Sequence, residues 1–83
     1  MKLLLTNTFK KKFNKLPLDV QKKIKESLLS IYEKPFLGKK LMGDLEGEFS
    51  CRVGKYRIIY FIDENDNIWI ETVGHRKDVY RRK

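Results

Sequence analysis

The sequence predicts an α+β fold in the order β-α-α-β-β-β, with two N-terminal helices packed on one face of a mainly antiparallel sheet. Three observations predict it. Residues 17–33 carry apolar side chains at helical spacing, residues 48–73 hold three short strand-like runs separated by two turns, and a brief aliphatic run precedes the first helix signal.

Residues 2–6 read as a short strand. Thr6-Asn7-Thr8 offers N-cap candidates, after which Phe9, Phe13 and Leu16 recur at helical spacing. Pro17 breaks that helix and can begin the next one. From there to Glu33, the residues Val20, Ile24, Leu28, Ile31 and Tyr32 form one apolar stripe opposed by lysines and Glu26, the pattern of an amphipathic helix. Pro35 and Gly38 end it, and residues 35–47, which follow no clear period, are expected to be a loop. Residues 48–53 alternate, with Phe49, Cys51 and Val53 on one face and Ser50 and Arg52 on the other. Gly54-Lys55 is a two-residue hairpin turn. Residues 56–62 are apolar at both parities except at Arg57, which predicts a central strand covered on both faces. A second turn spans residues 63–67, residues 68–73 form the last strand, and Gly74 is expected to end it. One face of this sheet is left without helices.

Eighty-three residues are read as one domain, 1–83, with a thin core, since chains of this size bury only about 60% of their unfolded surface. The 19 basic against 11 acidic residues give a net charge of +8, which points to an anionic partner: nucleic acid, a charged membrane surface or an acidic protein. The single cysteine, Cys51, excludes an internal disulfide and suits a reducing compartment; its parity makes it a small core residue and not a nucleophile. The apolar run at Leu3, Leu4 and Leu5 falls short of the roughly 7–15 residues of a signal-peptide core, and no stretch approaches the roughly 18 of a membrane span. A soluble cytoplasmic protein with no membrane contact is expected.

All five arginines lie at or after Arg52, whereas the first half uses lysine alone. Lysine on a helix is commonly a solvated face, the plain reading of Lys10, Lys11, Lys12, Lys22 and Lys23, although these can also give non-specific contacts to RNA. Arginine offers a rigid, permanently charged fork suited to phosphate. With Val53 and Tyr56 closing the hairpin, Arg52 and Arg57 face each other beside Lys55. A salt bridge to a sheet carboxylate such as Glu71 is the structural alternative for Arg57, because an unpaired buried guanidinium costs several kcal/mol. The segment after the last strand holds the lone His75, then Arg76, Lys77, Tyr80, Arg81 and Arg82. Cationic neighbours favour the neutral imidazole, hence a general base, and an aromatic such as Tyr80 either packs or stacks on a base. One histidine and one distant cysteine give no metal-binding pattern, Asp63, Glu64 and Asp66 have ordinary turn composition, and the glycines fit no nucleotide-cradling spacing; neither a metal nor a small-molecule cofactor is expected. RNA cleavage needs none of these, since RNA carries its own 2′-hydroxyl nucleophile and requires a base, a proton donor and cationic groups around the phosphate.

The run Arg52-Val53-Gly54-Lys55-Tyr56-Arg57-Ile58-Ile59-Tyr60 resembles the RVGxYRxxY hairpin of the RelE/ParE toxin superfamily, and Val73-Gly74-His75-Arg76-Lys77-Asp78-Val79-Tyr80 resembles its closing G-H-R-x-x-V-Y signature. The element order matches over nearly the whole chain. The resemblance implies a RelE-like fold, similar to that of microbial ribonucleases, and a bacterial or archaeal toxin of a type II toxin–antitoxin pair. RelE-like members cut mRNA in the ribosomal A site, whereas ParE-like members poison DNA gyrase. Carried over by motif, the site comprises Arg52, Arg57, His75, Arg76 and Tyr80, with Ser50 standing where the best-studied type has lysine. An acidic RelB-like antitoxin, the ribosome and mRNA are the implied partners. Two further readings stay open: a gyrase-poisoning toxin without nuclease activity, and a non-catalytic relative that binds only its antitoxin.

Overall fold

The computed structural model describes residues 2–37, 39–40 and 47–75. The chain runs through β1 (Leu3–Leu5), α1 (Asn7–Asn14), α2 (Leu18–Glu33), a 3-10 turn (Pro35–Leu37), β2 (Lys39–Lys40), β3 (Glu48–Val53), β4 (Tyr56–Ile62) and β5 (Ile68–His75). The strands lie in the order β1-β5-β4-β3-β2. All neighbours are antiparallel except β1, which runs parallel to β5. With β1 at one edge and β2 at the other, the two helices carry the chain across one face of the sheet.

Thr6 ties the first helix to the last strand. Its extended backbone caps α1, and its hydroxyl oxygen accepts from the Phe9 N–H at 3.0 Å while donating to the Glu71 carbonyl at 2.6 Å. Thr6→Ala is therefore expected to cost about 1–2 kcal/mol in urea unfolding, with Thr6→Ser retaining most of the stability. At the other end of α1, the Gln21 amide donates to the Phe13 and Leu16 carbonyls at 3.1 and 3.0 Å, tying the start of α2 to the end of α1; the Phe13 carbonyl also accepts the Leu16 N–H. Pro17 directly precedes α2, and its carbonyl accepts the Gln21 N–H at 2.9 Å.

The core lies between the helices and one sheet face. Phe9, Ile24 and Ile31 come from the helices; Phe49, Ile58, Tyr60, Ile70 and Val73 come from the strands. Tyr60 is fully buried, and its hydroxyl donates to the Pro35 carbonyl at 2.8 Å, which pins the 3-10 turn to the sheet. As expected for a central strand, β4 has neighbours on both sides and buries Ile58, Ile59 and Tyr60 completely. Not all apolar surface is covered: Leu29, Tyr32 and Phe36 stand 68%, 48% and 65% exposed along the end of α2 and the following turn.

Two features correct the sequence reading. The segment expected to be a loop contains the two-residue strand β2, whose Lys39 and Lys40 pair with Ser50 and Phe49. Two lysines carry no alternation, so this strand exists only because β3 offers an edge to pair with. The last strand does not stop before Gly74 but runs on to His75, with Arg57 opposite Gly74 and Tyr56 opposite His75. In line with a central strand covered on both faces, the helix-free side is also shielded here: Ile59 is fully buried, and Ser50 and Thr72 are each 2% exposed. A bulge interrupts β5 here: Ile59 pairs with Thr72 and Tyr60 with Ile70, leaving Glu71 as the additional residue.

The turn joining β4 to β5 is organised by Asp63. Its carboxylate accepts from the Asn65 and Asn67 N–H groups at 2.8 and 2.9 Å and from the Trp69 indole at 2.9 Å. These hydrogen bonds, the Asn67 backbone's first and the Trp69 indole's next, hold its pKa below the ordinary carboxylate value. The stabilisation is accordingly present above the unfolded-state pKa of about 3.9 and is lost as pH falls through the lower folded value. Urea midpoints measured on acidification are expected to fall more steeply for wild type than for Asp63→Asn.

Candidate active site

Gly54 takes φ +61°, a left-handed conformation that lets two residues close the β3–β4 hairpin. So short a turn sets the register: Val53 pairs with Tyr56, and Arg52 directly with Arg57. Like charges directly opposite each other destabilise a strand pair. Here each guanidinium donates to an uncharged oxygen. Arg52 Nε donates to the Gly54 carbonyl at 3.3 Å, and Arg57 Nη1 donates to Ser50 Oγ at 3.1 Å. Neither bond cancels charge. Arg52 is exposed and Arg57 half-buried, and Lys55 adds an exposed cation at the turn itself.

Strand parity puts Ser50, Arg52 and Arg57 on the face opposite the helices. On β5 the residue level with Arg57 is Gly74, which contributes no side chain. His75 lies one residue further, level with Tyr56 and on the same parity as Val53 and Val73, and its ring meets Tyr56 edge-on at 6.2 Å. The structure thus brings Arg52 and Arg57 together and sets His75 at the same end of the sheet, on the other parity. Lys10, Lys11, Lys12, Lys22 and Lys23 are exposed on helices that cover the opposite face, so they do not join the arginine pair. Arg76, Lys77, Tyr80, Arg81 and Arg82 lie outside the described residues.

Cys51 packs against the core, as its parity predicts. Burial pushes its thiol pKa up, against a smaller downward pull from Arg57, so it is protonated at neutral pH and poorly nucleophilic. Among the described residues, no group of three or more His, Cys, Asp or Glu side chains could hold a metal ion, and no helix is long and apolar enough to cross a membrane. Strand alternation places Ser50 beside Arg52 on one face, and the motif marks it as a departure, but neither names it as a partner of Arg57. Its contact with Arg57 follows from register: Ser50 pairs with Ile59, two residues from Arg57, and such diagonal neighbours lie within reach of a long side chain.

Comparison with known proteins gives the family. Residues 3–80 match the family model described as the ParE toxin of type II toxin-antitoxin system, parDE. The chain is 38% identical over 80 residues to Toxin RelG of Mycobacterium tuberculosis, covering 93% of this chain and 92% of that one. Among solved structures, it is similar to the toxin–antitoxin complex RelBE2 of M. tuberculosis, with a TM-score of 0.81 and 32% identity over 90% of this chain and 96% of that one. It is also similar to the RelB-RelE antitoxin–toxin complex of Methanococcus jannaschii, with a TM-score of 0.73 and 26% identity over 96% and 98% of the two chains. A match over nearly its whole length shows that the chain belongs to the RelE/ParE family of type II toxin–antitoxin toxins.

Proposed function

We propose that the chain is a ribosome-dependent endoribonuclease that cleaves mRNA through attack by the RNA's own 2′-hydroxyl, without a metal. The observation that carries this reading is the direct opposition of Arg52 and Arg57, two permanent cations held by strand register where a phosphate can bridge them. The 2′-oxygen bonds to phosphorus as a base takes its proton. The bond from phosphorus to the 5′ oxygen then breaks, and that oxygen receives a proton, leaving a 2′,3′-cyclic phosphate and a 5′-hydroxyl. Arg52, Arg57 and Arg76 stabilise the charge on the phosphorane. His75 transfers a proton from the end of β5, and Tyr80 positions a base. Lys55, Lys77, Arg81 and Arg82 attract the RNA backbone, and Lys10, Lys11, Lys12, Lys22 and Lys23 contact ribosomal RNA from the helical side.

The test is to add the purified toxin to ribosomes programmed with a defined mRNA and to map the 5′ ends by primer extension. Cuts confined to ribosome-bound message are expected, and absence of any cut would sink the reading. The matching family model is described as a ParE toxin, so the second reading is a gyrase-directed toxin; inhibition of supercoiling by purified gyrase, with intact mRNA, would select it.

The proposed partner is an acidic RelB-like antitoxin, met in the cytoplasm. Several of the similar structures are toxin–antitoxin complexes, and a charge of +8 favours and accelerates the encounter with an acidic chain. The exposed ridge of Leu29, Tyr32 and Phe36 gives such a chain apolar surface to bury.

A further inference from the structure

We infer that Ser50 is a positioning residue for Arg57, its buried hydroxyl fixing the plane in which the guanidinium meets the scissile phosphate. The inference rests on the ribonuclease reading and assigns a role within that same site. Ser50 is 2% exposed, in the middle of β3, level with the fully buried Ile59. Its Oγ is one bond from Cβ, so a single side-chain torsion, confined by burial on a rigid strand, determines where this acceptor stands. Arg57 reaches it diagonally across the hairpin, Nη1 to Oγ at 3.1 Å.

Three physical consequences follow. A guanidinium is a rigid plane with five N–H donors, so anchoring one end orients the whole fork. The acceptor is neutral, so the anchor leaves the positive charge intact; a carboxylate at this position would quench it, and a second cation would repel it. Arg52, directly opposite, pushes Arg57 away. A hydroxyl at position 50 holds the side chain in place against that push.

The test compares Ser50→Ala, Ser50→Thr, Arg57→Ala and the Ser50→Ala/Arg57→Ala double variant in single-turnover cleavage of ribosome-bound mRNA. Ser50→Ala is expected to lose about 10- to 100-fold in the cleavage rate, since small misplacements of a charge-stabilising group are costly in rate. Ser50→Thr keeps the hydroxyl on a strand-compatible residue and is expected to retain most of the activity. In the Arg57→Ala background the Ser50→Ala change should add nothing, the non-additivity of two groups acting as one. An equal loss in both backgrounds would show a merely structural role, and wild-type activity of Ser50→Ala would equally overturn the inference. Should the wild type cut no RNA, the ribonuclease reading fails by itself, and rotation about the Arg57 Nε–Cζ bond, followed by ¹⁵N NMR, still decides the contact. Slow rotation in wild type that becomes fast in Ser50→Ala supports it; the same rate in both refutes it.

Discussion

Arg57→Ala is expected to lose about 10²–10³ in the rate of ribosome-dependent mRNA cleavage, equivalent to about 2.7–4 kcal/mol of transition-state stabilisation. A phosphate under attack gathers negative charge, and the groups that help most are already aimed at it. Arg57 meets that requirement better than any other described cation: it sits on the central strand, half-buried, with its fork held by Ser50. Partial burial strengthens its field, because less water screens it. Arg52, exposed at the end of β3, should matter less, and its replacement by alanine is expected to cost about tenfold. Arg57→Lys tests geometry separately from charge. Lysine keeps the cation but not the planar fork, so a loss approaching that of alanine would show that orientation is what counts. Thermal unfolding of each variant guards against simple destabilisation. Wild-type cleavage by a folded Arg57→Ala variant would remove the basis of the ribonuclease reading.

Much of this arrangement can be read from the residues because strands and helices impose short periods. The stripe of Val20, Ile24, Leu28 and Ile31 places α2, and Gly54-Lys55 sets the register that opposes Arg52 and Arg57. Thr6 is recognisable as a cap from its type and place alone. The features that escaped depend on tertiary context. A lysine pair becomes the strand β2 only because β3 presents unpaired backbone groups to it. Gly74 continues β5, despite its weak strand preference, because it sits opposite Arg57 in the β4–β5 ladder and His75 opposite Tyr56 closes the same ladder. The bulge at Glu71 shifts parity along β5, and no pattern in IWIETVGH announces it. Parity also explains the site's main surprise. The motif places Arg57 and His75 in one constellation, but the register assigns them to opposite sides of the sheet plane.

That register gives the histidine prediction its weight. His75→Ala is expected to slow cleavage by about 10²-fold or more, the lower range of what positioned proton transfer contributes. A general base must come within about 3 Å of the proton it removes, directly or through one water. The imidazole lies edge-on to Tyr56 at the last described position of β5, one residue beyond the level of Arg57. To act on the arginines' face the imidazole has to swing around the sheet's border, a movement open to a strand end and closed to a mid-strand residue on that parity. Tyr56→Leu, which removes the ring against which the imidazole rests, should lower the rate less. A His75→Ala variant that cleaves at the wild-type rate, beside an inactive Arg57→Ala, would separate the two functions. Phosphate stabilisation would stay with the β3–β4 hairpin, and proton transfer would pass to the segment beyond His75, with Arg76→Ala and Tyr80→Phe the next variants to measure.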